Sequence, residues 1–384
     1  MKILQLGKFY PIHGGVEKVM WDLTVGLAER GIPCDMLCGI LPEESIEPEY
    51  VDVSRKTPDG YEISLGPYGR VICVKAITKK AATIISPVMV RWLRKHAAEY
   101  DIIHVHHPDP MAALALRLSG YKGRVILHWH SDILTQKFLL FFYKPLQSWL
   151  IHRAERIIGT TPVYVRESPY LKRAQYKVTC VPIGIAPVVY DSRDVAAFRD
   201  KYPGKHIVFA LGRLVPYKGF RTLVKAASHL GPDYQILIGG TGPLYDSLQK
   251  SIEALGLQDR IKLLGFVDGA HLPVLFGACD VFVLSSDQKT EAFGIVQIEA
   301  MSCGKPVVAT EIPQSGVSWV NREGVSGLNV PPGNSLAMAE AIRRICRNPD
   351  DYLQFAAGAM ERYEELFTSR RMIDKVIQVY EQKD

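Results

Sequence analysis

Two glutamates eight positions apart, Glu291 and Glu299, bracket a Phe-Gly pair in the stretch EAFGIVQIE, and AMSCGKPVVAT follows directly. A glycine at 294 lets the backbone pass close to a ligand where a helix would open, leaving amide N–H groups and the positive dipole end facing outward. Such an end attracts an anion. Carboxylates on either side accept hydrogen bonds from hydroxyls, so the pattern fits a phosphorylated sugar or nucleoside. The plainer alternative is an amphipathic helix in which Ile295, Ile298 and Met301 recur at helical spacing and Glu299 is simply solvated.

Three other stretches have related chemistry. In GRLVPYKG (212–219) Arg213 and Lys218 flank a proline after an apolar run and could converge on a diphosphate, the arginine as a fork and the lysine as a point charge. GGTGP (239–243) frees backbone at Gly240 for contact with a nucleotide, and HGGVEK places Gly14 and Gly15 at the start of a helix. Singly, each is also explained as a surface cation, a loop or a tight turn. No GxxxxGK[ST] is present and no GxGxxG follows a strand, which argues against a P-loop and a dinucleotide fold. His104, His106, His107, His128 and His130 invite a metal reading, but no carboxylate or cysteine set completes a ligand frame, so no metal is expected.

These residues need a frame to bring them together. KILQLG, DIIHVHH, RVILHWH, RIIGTT and KVTCVP read as short strands separated by helical stretches, the alternation of a parallel sheet covered on both faces. Val16, Val19, Met20, Leu23 and Leu27 mark one helix face ending at Gly31. The pattern restarts with HIVFALGRL, YQILIGG, IKLLGFV, CDVFVLSS, KPVVAT and GLNVPP, with helices around 219–230, 243–256, 294–303 and 335–347. VPIGIAPVVYDSRD is the expected linker. The fold class is therefore α/β, with two open sheets and ligands at their strand ends.

Length and composition agree. A chain of 384 residues with 47% hydrophobic and 22% charged positions can bury two cores and is not disordered. No apolar run approaches the roughly 20 residues that cross a bilayer, and the scattered cysteines read as reduced core thiols, so the expected location is cytoplasmic.

Taken in order, GGVE, HWHSD, GRLVPYKG, GGTGP, GFV, EAFGIVQIE, GKPVVAT and GVSGLNVPPG make the chain resemble the retaining GT-B glycosyltransferases of family 4, over nearly its whole length. The resemblance implies two Rossmann-like domains facing a central cleft. Residues 1–186 would bind the acceptor, 187–364 the nucleotide sugar, and 365–384 would form a helix packing back on the first domain. It implies that Glu299 binds the ribose, Glu291 the hydroxyls of the donor sugar, and the backbone at Phe293, Gly294 and Ile295 the phosphates. Arg213 and Lys218 would neutralise the diphosphate, Gly15 would touch it from the other domain, and Gly240 and Val267 would present backbone to the nucleotide, Val267 at the base. His130 would lie near C6 of the sugar and its anomeric centre. No cofactor is implied, and the absence of any DxD fits metal-independent transfer.

The run HWHSDILTQKFLLFFYKPLQ is similar to bacterial surface-polysaccharide mannosyltransferases. GDP-mannose is the first expectation for the donor and a UDP-hexose the second, with a glycan or lipid-linked glycan as acceptor. An epimerase, a phosphorylase or a non-catalytic nucleotide-sugar binder is the rival reading, and nucleic acid is not an expected partner. Residues 70–180 hold 18 Lys and Arg against 6 Asp and Glu, interleaved with aromatic and aliphatic runs. That region is expected to meet the anionic inner face of the cell membrane through Lys79, Lys80, Arg91, Arg94 and Lys95, unless it is only a solubilising surface.

Overall fold

The computed structural model describes residues 1–12, 14–80, 83–134 and 137–382. His13, which opens HGGVEK, and residues 135 and 136, in the run after HWHSD, lie outside the described residues. The chain divides into two compact units: Met1–Ile183 with Ser369–Asp384, and Gly184–Thr368.

The first unit is built on a nine-stranded sheet. Its strands run in the order Val178–Cys180, Arg156–Gly159, Arg124–Trp129, Ile102–His107, Ile3–Tyr10, Cys34–Ile40, Gly69–Lys75, Gly60–Ser64 and Ser54–Thr57. Pairing is parallel from Val178–Cys180 as far as Gly69–Lys75, and every residue of Cys34–Ile40 and Ile102–His107 is buried, as a sheet covered on both faces requires. The last two strands depart from the parallel sheet read from the sequence: Gly60–Ser64 and Ser54–Thr57 pair antiparallel. Their segments SRKT and GYEIS are short and polar, and the Pro58-Asp59 turn leaves no room for a crossover helix. Charges such as the Arg55–Glu62 pair (2.7 Å) guard this edge.

Two helices of this unit meet closely. Gly15–Glu29 buries Val19, Met20, Leu23 and Leu27, and Ser369–Glu381 buries Met372, Ile373, Val376, Val379 and Tyr380. A Cβ at Gly26 would stand 2.2 Å from Ile373 Cδ1, so the Ile373 side chain packs into the space the glycine leaves. Arg30 pairs with Asp374 at 2.6 Å, and the Arg124 guanidinium donates to the Tyr380 carbonyl at 2.6 Å.

The second unit has a six-stranded parallel sheet in the order Ile261–Gly265, Tyr234–Gly239, His206–Leu211, Val281–Leu284, Val307–Thr310 and Gly327–Val330. Its strands are the apolar runs read from the sequence, and Val208, Ile236, Val281 and Val308 join the buried core with Leu223, Leu248 and Ile342 from the helices. Among the parallel strands of each sheet the direction of strand addition reverses once, between Ile3–Tyr10 and Ile102–His107 and between His206–Leu211 and Val281–Leu284. The carboxyl ends beside such a reversal are where open α/β sheets bind ligands.

Candidate active site

In the second unit, Arg213 and Lys218 lie on the loop after His206–Leu211, and Glu291 on the loop after Val281–Leu284, so both loops start at the reversal. Hydrogen bonds lace them together. Ser285 Oγ donates to the Lys218 carbonyl at 2.8 Å, and the Asp287 amide donates to the Tyr217 carbonyl at 2.9 Å. This brings Lys218 Nζ to 2.5 Å from Glu291 Oε2, which also accepts from Ser286 Oγ at 2.8 Å. Burial opposes the charge on Lys218, but the adjacent Glu291 carboxylate outweighs it and holds the ammonium above its ordinary pKa. The sequence reading gave these side chains separate targets, diphosphate and sugar; here they form one nearly buried ion pair. Arg213, on the same loop, is exposed, makes no side-chain ion pair among the described residues, and opposes the charging of Lys218 through space. A free fork and a pre-paired ammonium thus share one loop.

Two glycines shape the local packing here. Gly240 has φ 129°, and a Cβ there would stand 1.9 Å from the Gly212 carbonyl oxygen, so the GGTGP and GRLVPYKG loops can cross only without a side chain. Gly294 has φ 73° and opens the helix Ile295–Ser302, whose first turn has no side-chain cap; a Cβ at 294 would press on Leu284 and Gln297 at 2.7 and 2.8 Å. No side chain caps the amides of that turn among the described residues, and uncapped amides at a helix start favour an anion. Phe293 is buried edge-on to Phe367, its ring centroid 5.9 Å away, which fixes the approach to the helix. Glu299, two turns in, is half-buried rather than fully solvated, and Val267 borders a cavity of about 210 Å³ with Phe198, Leu264, Phe266 and His271.

In the first unit, Gly15 begins the helix Gly15–Glu29, but the Glu17 carboxylate folds back over Gly14, where a Cβ would meet its Oε2 at 2.0 Å. The glutamate of GGVE therefore already compensates this helix end. His130 stands just beyond the carboxyl end of Arg124–Trp129, with only 5% of its surface exposed. Burial, followed by the neighbouring histidines and Lys8, keeps its imidazole neutral well below the ordinary histidine range. Asp132 of HWHSD accepts from Trp129 Nε1 at 3.0 Å and Ser168 Oγ at 2.7 Å, a structural task. Lys8 escaped sequence reading: it is buried at φ 62°, its amide donates to Asp109 and its ammonium to the Pro108 carbonyl at 2.7 Å. Its only signal was a lysine at the end of an apolar first strand.

The cations expected to meet a membrane are largely engaged. Arg91 pairs with Asp59 at 2.6 Å, Arg94 donates to the Leu118 carbonyl at 3.0 Å, and Lys79 stands over the Phe9 ring at 3.3 Å. The side chain of Lys80 lies outside the described residues. A more open apolar surface occurs at Phe141 and Phe142, 74% and 66% exposed beside exposed Lys144. Among the described residues no helix is long and apolar enough to cross a membrane.

Known proteins match this chain along its length. A family model for glycosyl transferases group 1 matches residues 192–362, and one for Glycosyltransferase Family 4 matches residues 13–189. The O-antigen chain mannosyltransferase C of Escherichia coli is 30% identical over 384 residues, covering 99% of this chain and 98% of its own. The D-rhamnosyltransferase WbpZ of Pseudomonas aeruginosa is 32% identical, over 96% and 93%. The crystal structure of Anabaena HepE in complex with UDP superimposes with a TM-score of 0.79 at 21% identity, covering 99% of each chain.

Proposed function

Because the chain belongs to the retaining GT-B glycosyltransferases of family 4, which move a sugar from a nucleotide donor to an acceptor hydroxyl, we propose that it transfers mannose from GDP-mannose during assembly of a surface polysaccharide. The observation that carries the donor half is the Lys218–Glu291 pair beside the uncapped first turn at Gly294, at the strand reversal of the second unit.

In this reading the diphosphate seats on the amides of Gly294 and Ile295, with Arg213 and Lys218 neutralising the charge that grows on it as the bond to the anomeric carbon breaks. Glu291 accepts from sugar hydroxyls with its second oxygen while its first holds Lys218, so sugar and phosphate are sensed by one ion pair. Glu299 takes the ribose hydroxyls, and Gly240 and Val267 offer backbone to the nucleoside. His130 contributes a ring nitrogen to the sugar. The acceptor oxygen bonds to the anomeric carbon on the face the diphosphate leaves, and the acceptor proton passes to the departing phosphate oxygen. These fixed charges occupy the role a divalent ion would otherwise have.

Mannose is favoured by the mannosyltransferase likeness and D-rhamnose by the rhamnosyltransferase likeness; a UDP-hexose is the further alternative. For a lipid-linked acceptor, Phe141, Phe142 and Lys144 form the surface suited to an anionic leaflet, at the cytoplasmic face where nucleotide sugars are made. Incubation with GDP-mannose, GDP-rhamnose, UDP-glucose and ADP-glucose, followed by release of free sugar and transfer to short mannosides, tests the reading. Turnover of GDP-mannose above the others supports it; turnover of a UDP-sugar alone contradicts it. Nucleotide binding with neither hydrolysis nor transfer would favour the non-catalytic binder.

A further inference from the structure

The first unit holds a cluster of buried imidazoles that the donor reading leaves unused. His104, His106, His128 and His130 stack, with centroids 4.7 Å apart for His104 and His106, 5.2 Å for His106 and His130, and 4.1 Å for His128 and His130. Nitrogens of His104, His106 and His128 come within 4.8 Å of one another, which suggests a cation at first sight. The geometry opposes one. Ring planes lie 10° to 30° from parallel, so in-plane lone pairs run side by side instead of converging, and both nitrogens of His106 are already engaged.

The cluster instead contains an unbroken hydrogen-bonded chain. Gln5 Nε2 donates to the Tyr380 hydroxyl at 3.1 Å, and that oxygen lies 2.5 Å from His104 Nδ1. On its other side Gln5 Oε1 lies 2.8 Å from His106 Nε2, and His106 Nδ1 lies 3.0 Å from His130 Nε2. Proton positions follow link by link. An amide oxygen only accepts, so His106 carries its proton on Nε2. Its Nδ1 is then the acceptor, and the proton shared with His130 belongs to His130 Nε2. His130 Nδ1 is left as a bare, buried lone pair without a partner among the described residues. Reversing the Gln5 amide would reverse every one of these protons. Gln5 thus selects the tautomer; its amide NH2 faces Cys34 Sγ at 3.7 Å and the Tyr380 hydroxyl, which passes its own proton to His104 Nδ1.

We propose that Tyr380, Gln5 and His106 are positioning residues that hold His130 as its Nε2-protonated neutral tautomer, with its Nδ1 kept as an acceptor rather than a donor. The C-terminal helix thereby takes part in the reaction from a distance: Gln5 and Tyr380 are 375 positions apart, and Arg124 fixes the helix by donating to the Tyr380 carbonyl. The functional part of the inference rests on the reading of His130 as a residue that contacts the sugar.

Two-bond proton–nitrogen correlation spectra of the full chain labelled with 15N-histidine read the tautomer directly. His130 is expected to show a protonated Nε2 and an unprotonated Nδ1 at neutral pH; the opposite tautomer, or an imidazolium, overturns the proposal. In Tyr380→Phe the resonances are expected to move toward a mixture, and an unchanged pure tautomer also overturns it. For turnover, His106→Leu removes acceptor and donor while His106→Gln retains one of each. The leucine variant is expected to lose about tenfold in kcat with nucleoside diphosphate affinity unchanged, and the glutamine variant to regain most of it. Equal kcat in the two variants contradicts the relay. His130→Ala separates the two readings: wild-type turnover there would remove His130 from the donor site, while the tautomer measurement stands by itself.

Discussion

The two sheets carry their chemistry at corresponding places, the strand ends beside a reversal, yet equip them oppositely. The second unit places charge there: an exposed Arg213, a Lys218 ammonium stabilised by Glu291, and an uncapped helix end. The first unit fills the region with rings that burial keeps uncharged, His104, His106, His107 and His130 all well below the ordinary histidine range and His128 down to about 3. Even its helix end is covered by Glu17. The contrast matches what each unit would bind in the proposed function. A diphosphate needs fixed positive charge, whereas a sugar or acceptor hydroxyl needs directed hydrogen bonds that extra charge would disturb.

The strongest way to break the charged side is to remove its cations. Lys218→Ala and Arg213→Ala should each lower kcat about a hundredfold or more, measured as sugar release or transfer, and chelation with EDTA should leave wild-type turnover unchanged. Loss of turnover in EDTA that magnesium or manganese restores would return the role to a metal ion. Glu291→Ala strands the buried Lys218 ammonium and should lower turnover more than nucleotide affinity. Glu299→Ala should instead weaken nucleotide binding about tenfold to a hundredfold, the cost of roughly 1.5–3 kcal/mol for a charged hydrogen bond. Wild-type affinity in Glu299→Ala would remove it from the ribose.

Backbone crossing gives a stability test. Gly240→Ala introduces a Cβ where only 1.9 Å is free and should destabilise the fold by about 2–3 kcal/mol in urea titration, with wild-type stability arguing against the crossing. The neutral side predicts a pH effect. Histidines held neutral when folded but free to protonate near pH 6.5 when unfolded make the unfolded chain bind more protons in acid. Stability is therefore fully present above about pH 6.5 and falls as pH drops, each such group adding a slope of up to about 1.4 kcal/mol per pH unit. Urea midpoints at pH 7.5, 6 and 5 measure it, and a flat profile would mean that the rings are not neutral in the fold.

The charged side was the more legible in sequence. A positive φ or a close crossing demands glycine, so Gly240 and Gly294 announce themselves, and apolar runs gave the six strands of the second unit. Pairing was not legible. Lys218 meets Glu291 across 73 positions and Gln5 meets Tyr380 across 375, and no local pattern encodes either distance. The histidines showed only alternation, which states that they share a face but not that their nitrogens form a chain. The antiparallel edge was missed because SRKT and GYEIS are too short and polar to stand out from loops. Arg91 and Arg94 counted as free cations in the charge tally, yet Asp59 and the Leu118 carbonyl hold them.

The account depends most on fixed cations in the second unit meeting the donor diphosphate. Calorimetric affinities for the nucleoside diphosphate and for the bare nucleoside of the donor, in wild type and in the Arg213→Ala, Lys218→Ala double variant, test this directly. The wild type should favour the diphosphate strongly, and the double variant should lose that preference while binding the nucleoside as before. An undiminished preference for the diphosphate in the double variant would place its recognition elsewhere and contradict the account.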